Sequence, residues 1–222
     1  MQERYIKSLG ALSPEEIASL AEKRVFIAGC GGLGGYNLEM LARLGILNIT
    51  IADGDVFSES NLNRQILSTE KNLGSDKVEA AVNRIREINS KVKLTAHKAY
   101  IGEDNAYKIL NGHDLIIDAL DNVPSRLLVE RAAEKLDIPL VHGAIHGWLA
   151  QVAVIMPGDR TLEKLYGSAR PQPPSVPSFT PALCASLQVS EAVKLLCGRN
   201  NLQKGMILVF DLHNNKIDFF TV

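Results

Sequence analysis

Cysteine is scarce and scattered in this chain. Cys30, Cys184 and Cys197 are the only three in 222 residues, and none forms a C-x-x-C pair. That excludes a disulfide framework and a four-thiolate zinc site, and it fits a reduced, cytoplasmic setting. Charge of one sign is also missing. Lys and Arg number 24 against 25 Asp and Glu, a net charge of −1, with no basic block. Nothing in the charge pattern suggests a nucleic-acid footprint. No apolar run reaches the length of a membrane span, and the polar start MQERYIKS does not read as a signal peptide. Apolar residues nevertheless make up 46 % of the chain, enough for a substantial core. The length fits one domain, or one domain with a small appendage.

The stretch from Gly29 to Arg64 carries the strongest pattern. An apolar strand, Arg24–Ala28, leads into Gly29-Cys30-Gly31-Gly32-Leu33-Gly34, where Gly29, Gly31 and Gly34 satisfy G-x-G-x-x-G. Leu33, Tyr36, Met40 and Leu44 then fall at helical spacing, and Gly45 can end that helix in a left-handed cap. A second strand, Asn48–Ala52, delivers Asp53, 22 residues past Gly31, where a ribose-binding acid belongs. Glycines let the backbone approach a polyphosphate, while the helix N-terminus offers unpaired N–H groups and a partial positive charge. The pattern alone leaves NAD, FAD and ATP open.

Before it, residues 1–23 read as a polar lead with a helix from the capping box Ser13-Pro14-Glu15-Glu16 to Glu22. After it, residues 54–74 form a polar loop long enough to imply function or disorder, holding Asp55, Ser60, Asn61, Asn63, Arg64 and Gln65. Ser75 opens a helix with Lys77 in its first turn, where a cation is unfavourable against the helix dipole and so is expected to face an anion. A strand at 92–96, a short helix at 103–110 and a nearly continuous apolar strand at 114–120 follow. The last delivers Asp121-Asn122 to the edge where open α/β sheets bind ligands. A helix at 123–136 and strands at 138–143 and 151–156 complete a nucleotide-binding core, 24–156. Residues 157–181 carry six prolines and read as an extended, mobile loop. Thr180-Pro181 would cap a helix to about Leu196, and strands at 206–212 and 216–221 would close as a hairpin, so 182–222 is a helix plus β-hairpin. The expected fold is α/β: one Rossmann-like, doubly wound, mainly parallel sheet across 1–222 with an added C-terminal antiparallel hairpin.

The presumed cleft thus gathers the glycine turn, Asp53, Asn61, Arg64, Lys77 and Asp121. Two cations and a carboxylate placed for a metal suit a triphosphate with Mg²⁺ better than a dinucleotide. No nucleophile is supplied, so the chemistry would be orientation and charge stabilisation of an attack on phosphorus.

Five motifs in order resemble the ThiF/MoeB/HesA family, bacterial relatives of ubiquitin-activating enzymes. They are Gly29–Gly34, Asp53-Gly54-Asp55, Ser60-Asn61-Leu62-Asn63-Arg64-Gln65, Gly74-Ser75-Asp76-Lys77 and Asp118-Ala119-Leu120-Asp121-Asn122. The resemblance implies transfer of AMP from ATP to the C-terminal glycine carboxylate of a small ubiquitin-fold sulfur carrier ending in Gly-Gly, with release of pyrophosphate. It implies that Gly32 lies against the nucleotide, that Asp53 bonds the ribose, and that Asn61, Arg64 and Lys77 hold the phosphates. Asp121 would position Mg²⁺ and Asn122 would line the site, with Gly29, Gly31, Gly34, Asp55 and Ser60 completing the binding motifs. The resemblance further implies a homodimer in which an N-terminal basic residue reaches the partner's ATP site. Here Lys7, in Arg4-Tyr5-Ile6-Lys7-Ser8, replaces the family's second arginine and keeps the charge without the bidentate fork.

Two departures shape the expected activity. The family's paired zinc cysteines are missing, so no zinc is expected. The loop 157–181 holds no cysteine for a covalent intermediate, and no rhodanese-like domain is present, so adenylation alone is expected. Cys184, at the start of an apolar helix, and Cys30, in the glycine turn, read as packed thiols rather than nucleophiles. His142 and His146 read as packed histidines without a third metal ligand, and Asp118 as either a second carboxylate or a strand-end acceptor. Other readings of the same residues are carboxylate activation on a tRNA nucleoside, a non-catalytic scaffold, and an NAD-dependent oxidoreductase. The last leaves Lys77 and Asp121 without a role.

Overall fold

The computed structural model describes residues 3–167, 175–200 and 202–222. Strand β1 (Arg24–Ala28) lies in the middle of the first half of the sheet because its side chains are apolar on both faces. Phe26 and Ala28 point one way and Val25 and Ile27 the other, all fully buried. On one side it pairs in parallel with β2 (Asn48–Ala52), which pairs with β3 (Lys93–His97). On the other it pairs with β4 (Leu115–Asp118), which pairs with β5 (Leu140–His146). Three antiparallel strands extend this edge: β6 (Leu149–Ile155), β7 (Met206–Asp211) and β8 (Lys216–Thr221). The order is β3-β2-β1-β4-β5-β6-β7-β8. The expected doubly wound, mainly parallel sheet with a closing hairpin is present, and β5 and β6 form a second hairpin turned at Gly147, whose φ is +55°.

Helices cover both faces. α2 (Gly34–Leu44), α3 (Lys77–Ile88) and α7 (Phe179–Leu196) bury one apolar cluster with Ile27, Ile51, Ile117 and Val152. On the opposite face α4 (Ala106–Leu110), α5 (Val123–Leu136) and α6 (Thr161–Tyr166) enclose Phe26, Ile116, Leu140 and Ala153. α1 (Pro14–Glu22) starts with the expected reciprocal cap, in which Ser13 and Glu16 satisfy each other's backbone N–H groups. α2 ends as expected at Gly45, at φ +99°.

Several boundaries differ from the sequence reading for local reasons. α3 begins at Lys77 with Asp76 as its cap residue, not at Ser75, whose hydroxyl instead donates to Asn72 O. α4 is shorter than 103–110, because the Asn105 side chain takes the Gly102 N–H and holds a turn ahead of the helix. β4 stops at Asp118, whose carboxylate accepts the Leu120 N–H and bends the chain out of the sheet. The 157–181 stretch is not loop throughout. It contains α6, whose first N–H groups donate to the Glu130 carboxylate (Leu162 N at 2.6 Å, Glu163 N at 3.0 Å). Residues 168–174, the middle of the expected mobile loop, lie outside the described residues. α7 starts two residues early, with Ser178 at the cap position, so Thr180 is not the cap; its hydroxyl donates to Gly147 O. No helix among the described residues is long and apolar enough to cross a membrane.

Candidate functional site

The glycine turn joins β1 to α2 at the carboxyl edge of the sheet. Gly29 has φ +97°, and a Cβ there would lie 2.9 Å from Ala119 O. A Cβ on Gly34 would lie 1.8 Å from Gly29 O, so only glycine closes this turn. Gly31 and Gly32 differ. A Cβ on Gly31 would be 3.6 Å from Gln65 Nε2, and one on Gly32 3.7 Å from Pro181 Cβ, both ordinary contacts. The chain's own packing does not demand glycine at either position, so a smooth backbone surface there is available to a ligand.

Of the residues expected around this turn, Asp53, Asp55, Lys77 and the stem of Arg64 come together at it. Asp53 leaves β2 and accepts the Cys30 N–H at 2.7 Å and the Asp55 N–H at 2.8 Å. Burial lifts its carboxyl above the ordinary range, against those two donors and the nearby Lys77 ammonium. Lys77 is buried at the first position of α3, and the anion it faces is Asp55, 2.9 Å from Nζ. Asp55 also accepts the Tyr100 hydroxyl. That hydrogen bond, with Lys77 beside it, holds its carboxyl below the usual carboxylate range.

The 54–74 loop is ordered by two short 3₁₀ turns, Glu59–Asn61 and Glu70–Asn72. Asn61 Oδ1 is committed to the Ser58 N–H at 3.1 Å, and the Ser60 hydroxyl lies 3.0 Å from that of Ser58. Arg64 packs its stem 3.9 Å from the Gly32 Cβ position, but its guanidinium folds back onto Ser60 O (2.8 Å) and Asn63 Oδ1 (3.0 Å). Asn63 in turn donates to Val176 O, which ties this loop to the chain entering α7. Asp121 is exposed beyond β4 and within electrostatic reach of Tyr100. Asn122 is the N-cap of α5, accepting the Ser125 N–H at 2.9 Å. Lys7, the expected cross-subunit residue, is exposed in the 3₁₀ helix Glu3–Ser8.

Mg²⁺ at a nucleotide is held by one or two carboxylates, waters and phosphate oxygens, and Asp121 is an exposed carboxylate at the same sheet edge as the glycine turn. Among the described residues the Asp121 carboxylate accepts only from Asn122 Nδ2, at 3.3 Å, so its lone pairs fit that task. No group of three or more His, Cys, Asp or Glu that could hold a metal by itself occurs among the described residues.

Two of the three thiols are buried. Cys30 is fully buried, and burial pushes its thiol well up. Cys184 lies in the second turn of α7 rather than the first, donating to Gln151 O and Ala144 O, and burial pushes it up to about 12. His142 is buried against Asp118, which settles Asp118 as an acceptor inside the protein, while His146 is exposed.

Three features escaped the sequence. Tyr100 stands over Gly54, where a Cβ would come within 2.8 Å of its ring, and no pattern marks it. Gln65 stands in a motif but has no role assigned by it; it is 6 % exposed, its Oε1 has no hydrogen-bond partner among the described residues, and its Nε2 points at Gly31. Arg126 lies one helical turn after Asn122, a spacing that aims it back at the strand end and could have been read.

Comparison with known proteins agrees with these motifs. The chain is 34 % identical over 218 residues to a Thermus thermophilus protein named sulfur carrier protein adenylyltransferase, covering 91 % of this chain and 80 % of that one. It is 31 % identical over 208 residues to the SAMP-activating enzyme E1 of Haloferax volcanii, covering 90 % and 77 %. The crystal structure of Escherichia coli MccB with ATP superposes over 100 % of this chain and 71 % of its own, with a TM-score of 0.86 at 19 % identity, a likeness of fold. The model of the ThiF family matches residues 3–222, and the chain belongs to that family.

Proposed function

We propose that this chain is an ATP-dependent adenylyltransferase that activates the C-terminal carboxylate of a small ubiquitin-fold sulfur carrier. The observation that carries the reading is the open Gly31-Gly32 surface with the Arg64 stem against it, and Lys77 and Asp121 at the same edge of the sheet. The names of the relatives from Thermus thermophilus and Haloferax volcanii support it.

In this reading Gly31 and Gly32 receive the phosphates, Asp53 accepts from the ribose, and Asn61 and Ser60 shape the loop that presents Arg64. Lys77 exchanges its Asp55 partner for phosphate oxygen. Arg64 swings its fork from its own loop to the phosphates. A carrier carboxylate oxygen attacks the α-phosphorus. The new C(O)O–P bond forms as the bridge to the β-phosphate breaks, and pyrophosphate leaves with the electron pair. Negative charge grows on the departing phosphates, where the two cations stand. Asp121 would hold Mg²⁺, which when bound supplies further positive charge to the phosphates. In this reading the buried Cys30 and Cys184 take no part in the step. The carrier's Gly-Gly end, the homodimer and a cytoplasmic setting belong to the same proposal.

The test is ATP–pyrophosphate exchange and AMP transfer to a Gly-Gly-ended carrier. Lys77→Ala or Arg64→Ala should slow it on the order of 10²-fold or more, the usual cost of one lost electrostatic donor. Full activity of Lys77→Ala, or binding of NAD in place of Mg·ATP, would refute the reading.

A further inference from the structure

Five polar side chains meet behind the strand end that carries Asp121, and of them only Asp118 lies in one of the five motifs, where it has no assigned nucleotide contact. Asp118 and His142 are fully buried, and Arg126 is 8 % exposed. Asp118 Oδ2 lies 2.7 Å from His142 Nδ1 and 3.8 Å from Arg126 Nε. Burial lowers the His142 pKa, so the ring is neutral near pH 7. Its tautomer follows from its partners: Nδ1–H donates to Asp118, and Nε2 accepts the Tyr166 hydroxyl at 3.0 Å. The same phenol oxygen accepts from Arg126 Nη1 at 3.2 Å and from Gln151 Nε2. One donor and two lone pairs are then all used.

The network is aimed at one peptide. Arg126 Nε and Nη2 both donate to Leu120 O, at 3.1 and 2.6 Å, while Asp118 Oδ1 accepts the Leu120 N–H at 3.0 Å. Leu120 C=O belongs to the peptide unit whose N–H is that of Asp121. Fixing it fixes the direction in which the Asp121 side chain leaves the strand end. Arg126 would have freedom to swing about its long stem; Tyr166 removes it, through the hydroxyl and through its ring, 5.5 Å from the guanidinium carbon. Tyr166 ends α6, and α6 is seated by Glu130.

We infer that Arg126 and Tyr166 are positioning residues for Asp121, coupling the seating of α6 to the geometry of the nucleotide site. The inference rests on the reading of Asp121 as a nucleotide-site residue. It is tested with Tyr166→Phe, which keeps the ring and removes the hydroxyl, and Arg126→Lys, which keeps the charge and loses the fork. Amide hydrogen exchange in the nucleotide-free protein is one readout and calorimetric binding of Mg·ATP the other. Each variant should speed exchange at the Leu120 amide about fivefold relative to Ile27 in β1, the size of one lost hydrogen bond. Each should also raise the Mg·ATP dissociation constant several-fold. The double variant should do little more than either alone, since both break one chain of contacts. Variants that lower the melting temperature but leave the Leu120-to-Ile27 ratio and the Mg·ATP affinity unchanged would show a structural role only and overturn the inference. Unaltered protein that binds no Mg·ATP would overturn the adenylation reading, and with it the coupling to a nucleotide site. The exchange ratio, read without nucleotide, tells that failure from a failure of the positioning contacts.

Discussion

Replacing Lys77 with methionine removes one charge and keeps most of the volume at a buried position. Without nucleotide the change should be mild. Its partner Asp55 has a side chain 46 % exposed, so water replaces the ammonium and the pair is worth at most about 1 kcal/mol. With nucleotide the cost appears. Mg·ATP at 100 times its dissociation constant adds about 2.7 kcal/mol to the unaltered protein. For a chain of this size that is a rise of roughly 5–10 °C in melting temperature. A lost charge-assisted phosphate contact costs roughly 1.5–3 kcal/mol, weakening binding about 10- to 150-fold. At the same ligand concentration the variant would keep only about 0.3–1.4 kcal/mol of stabilisation, a rise of roughly 5 °C or less. Differential scanning fluorimetry with and without Mg·ATP measures both numbers. An undiminished ligand shift in Lys77→Met would mean that Lys77 serves only Asp55, and the phosphate role would be wrong.

The glycines separate turn from cradle. Gly34→Ala drives a Cβ to within 1.8 Å of Gly29 O and should cost roughly 3 kcal/mol or more, or prevent folding. Gly32→Ala, with 3.7 Å to its nearest neighbour, should leave the unliganded melt within about 0.5 kcal/mol and yet lose the Mg·ATP shift. A Gly32→Ala protein that binds Mg·ATP normally would place the phosphates elsewhere. Cys184→Ala should keep full AMP transfer to the carrier at a stability cost of about 1 kcal/mol; loss of transfer with the fold intact would reveal a covalent role. His142 and His113 have pKa values lowered by burial, so the unfolded chain binds protons that the fold refuses below about pH 6.5. Stability should therefore fall as pH drops from 7.5 to 5.5. Asp53 and Glu130, raised by burial, act with the opposite sign at lower pH. A melting temperature unchanged across that window would contradict the neutral state of both rings.

Periodicity made most of the fold legible. The alternation of Val25 and Ile27 against Phe26 and Ala28 is the two-faced burial of a central parallel strand, and Gly45 ends α2 at positive φ as its position implied. What stayed hidden has physical causes. α6 is six residues of ordinary helix formers between prolines, and it holds its place through Glu130, 31 residues before its start. The start of α7 was misplaced because Thr180-Pro181 has the chemistry of a cap, while the Thr180 hydroxyl is spent on Gly147 O in a hairpin the sequence did not reveal. The Asp118, His142, Arg126 and Tyr166 contacts join four separate elements, and no local pattern records such a meeting.

The candidate site shows the same division between chemistry and partner. Residue type and spacing point to an anion facing Lys77, because a cation at the start of α3 opposes the helix dipole. They could not say that the anion in the free protein is Asp55, held by Tyr100 from a different strand end. Arg64 repeats this, its fork occupied by Ser60 O and Asn63 Oδ1. An unpaired buried charge is costly, so under the proposed function the free protein would give its phosphate-binding cations substitute acceptors. Those acceptors are drawn from the same motifs, Asp53-Gly54-Asp55 and Ser60–Gln65, that mark the site in the sequence. Nucleotide affinity is then a difference between two sets of contacts rather than a sum of new ones. That difference is what the Lys77→Met shift measures.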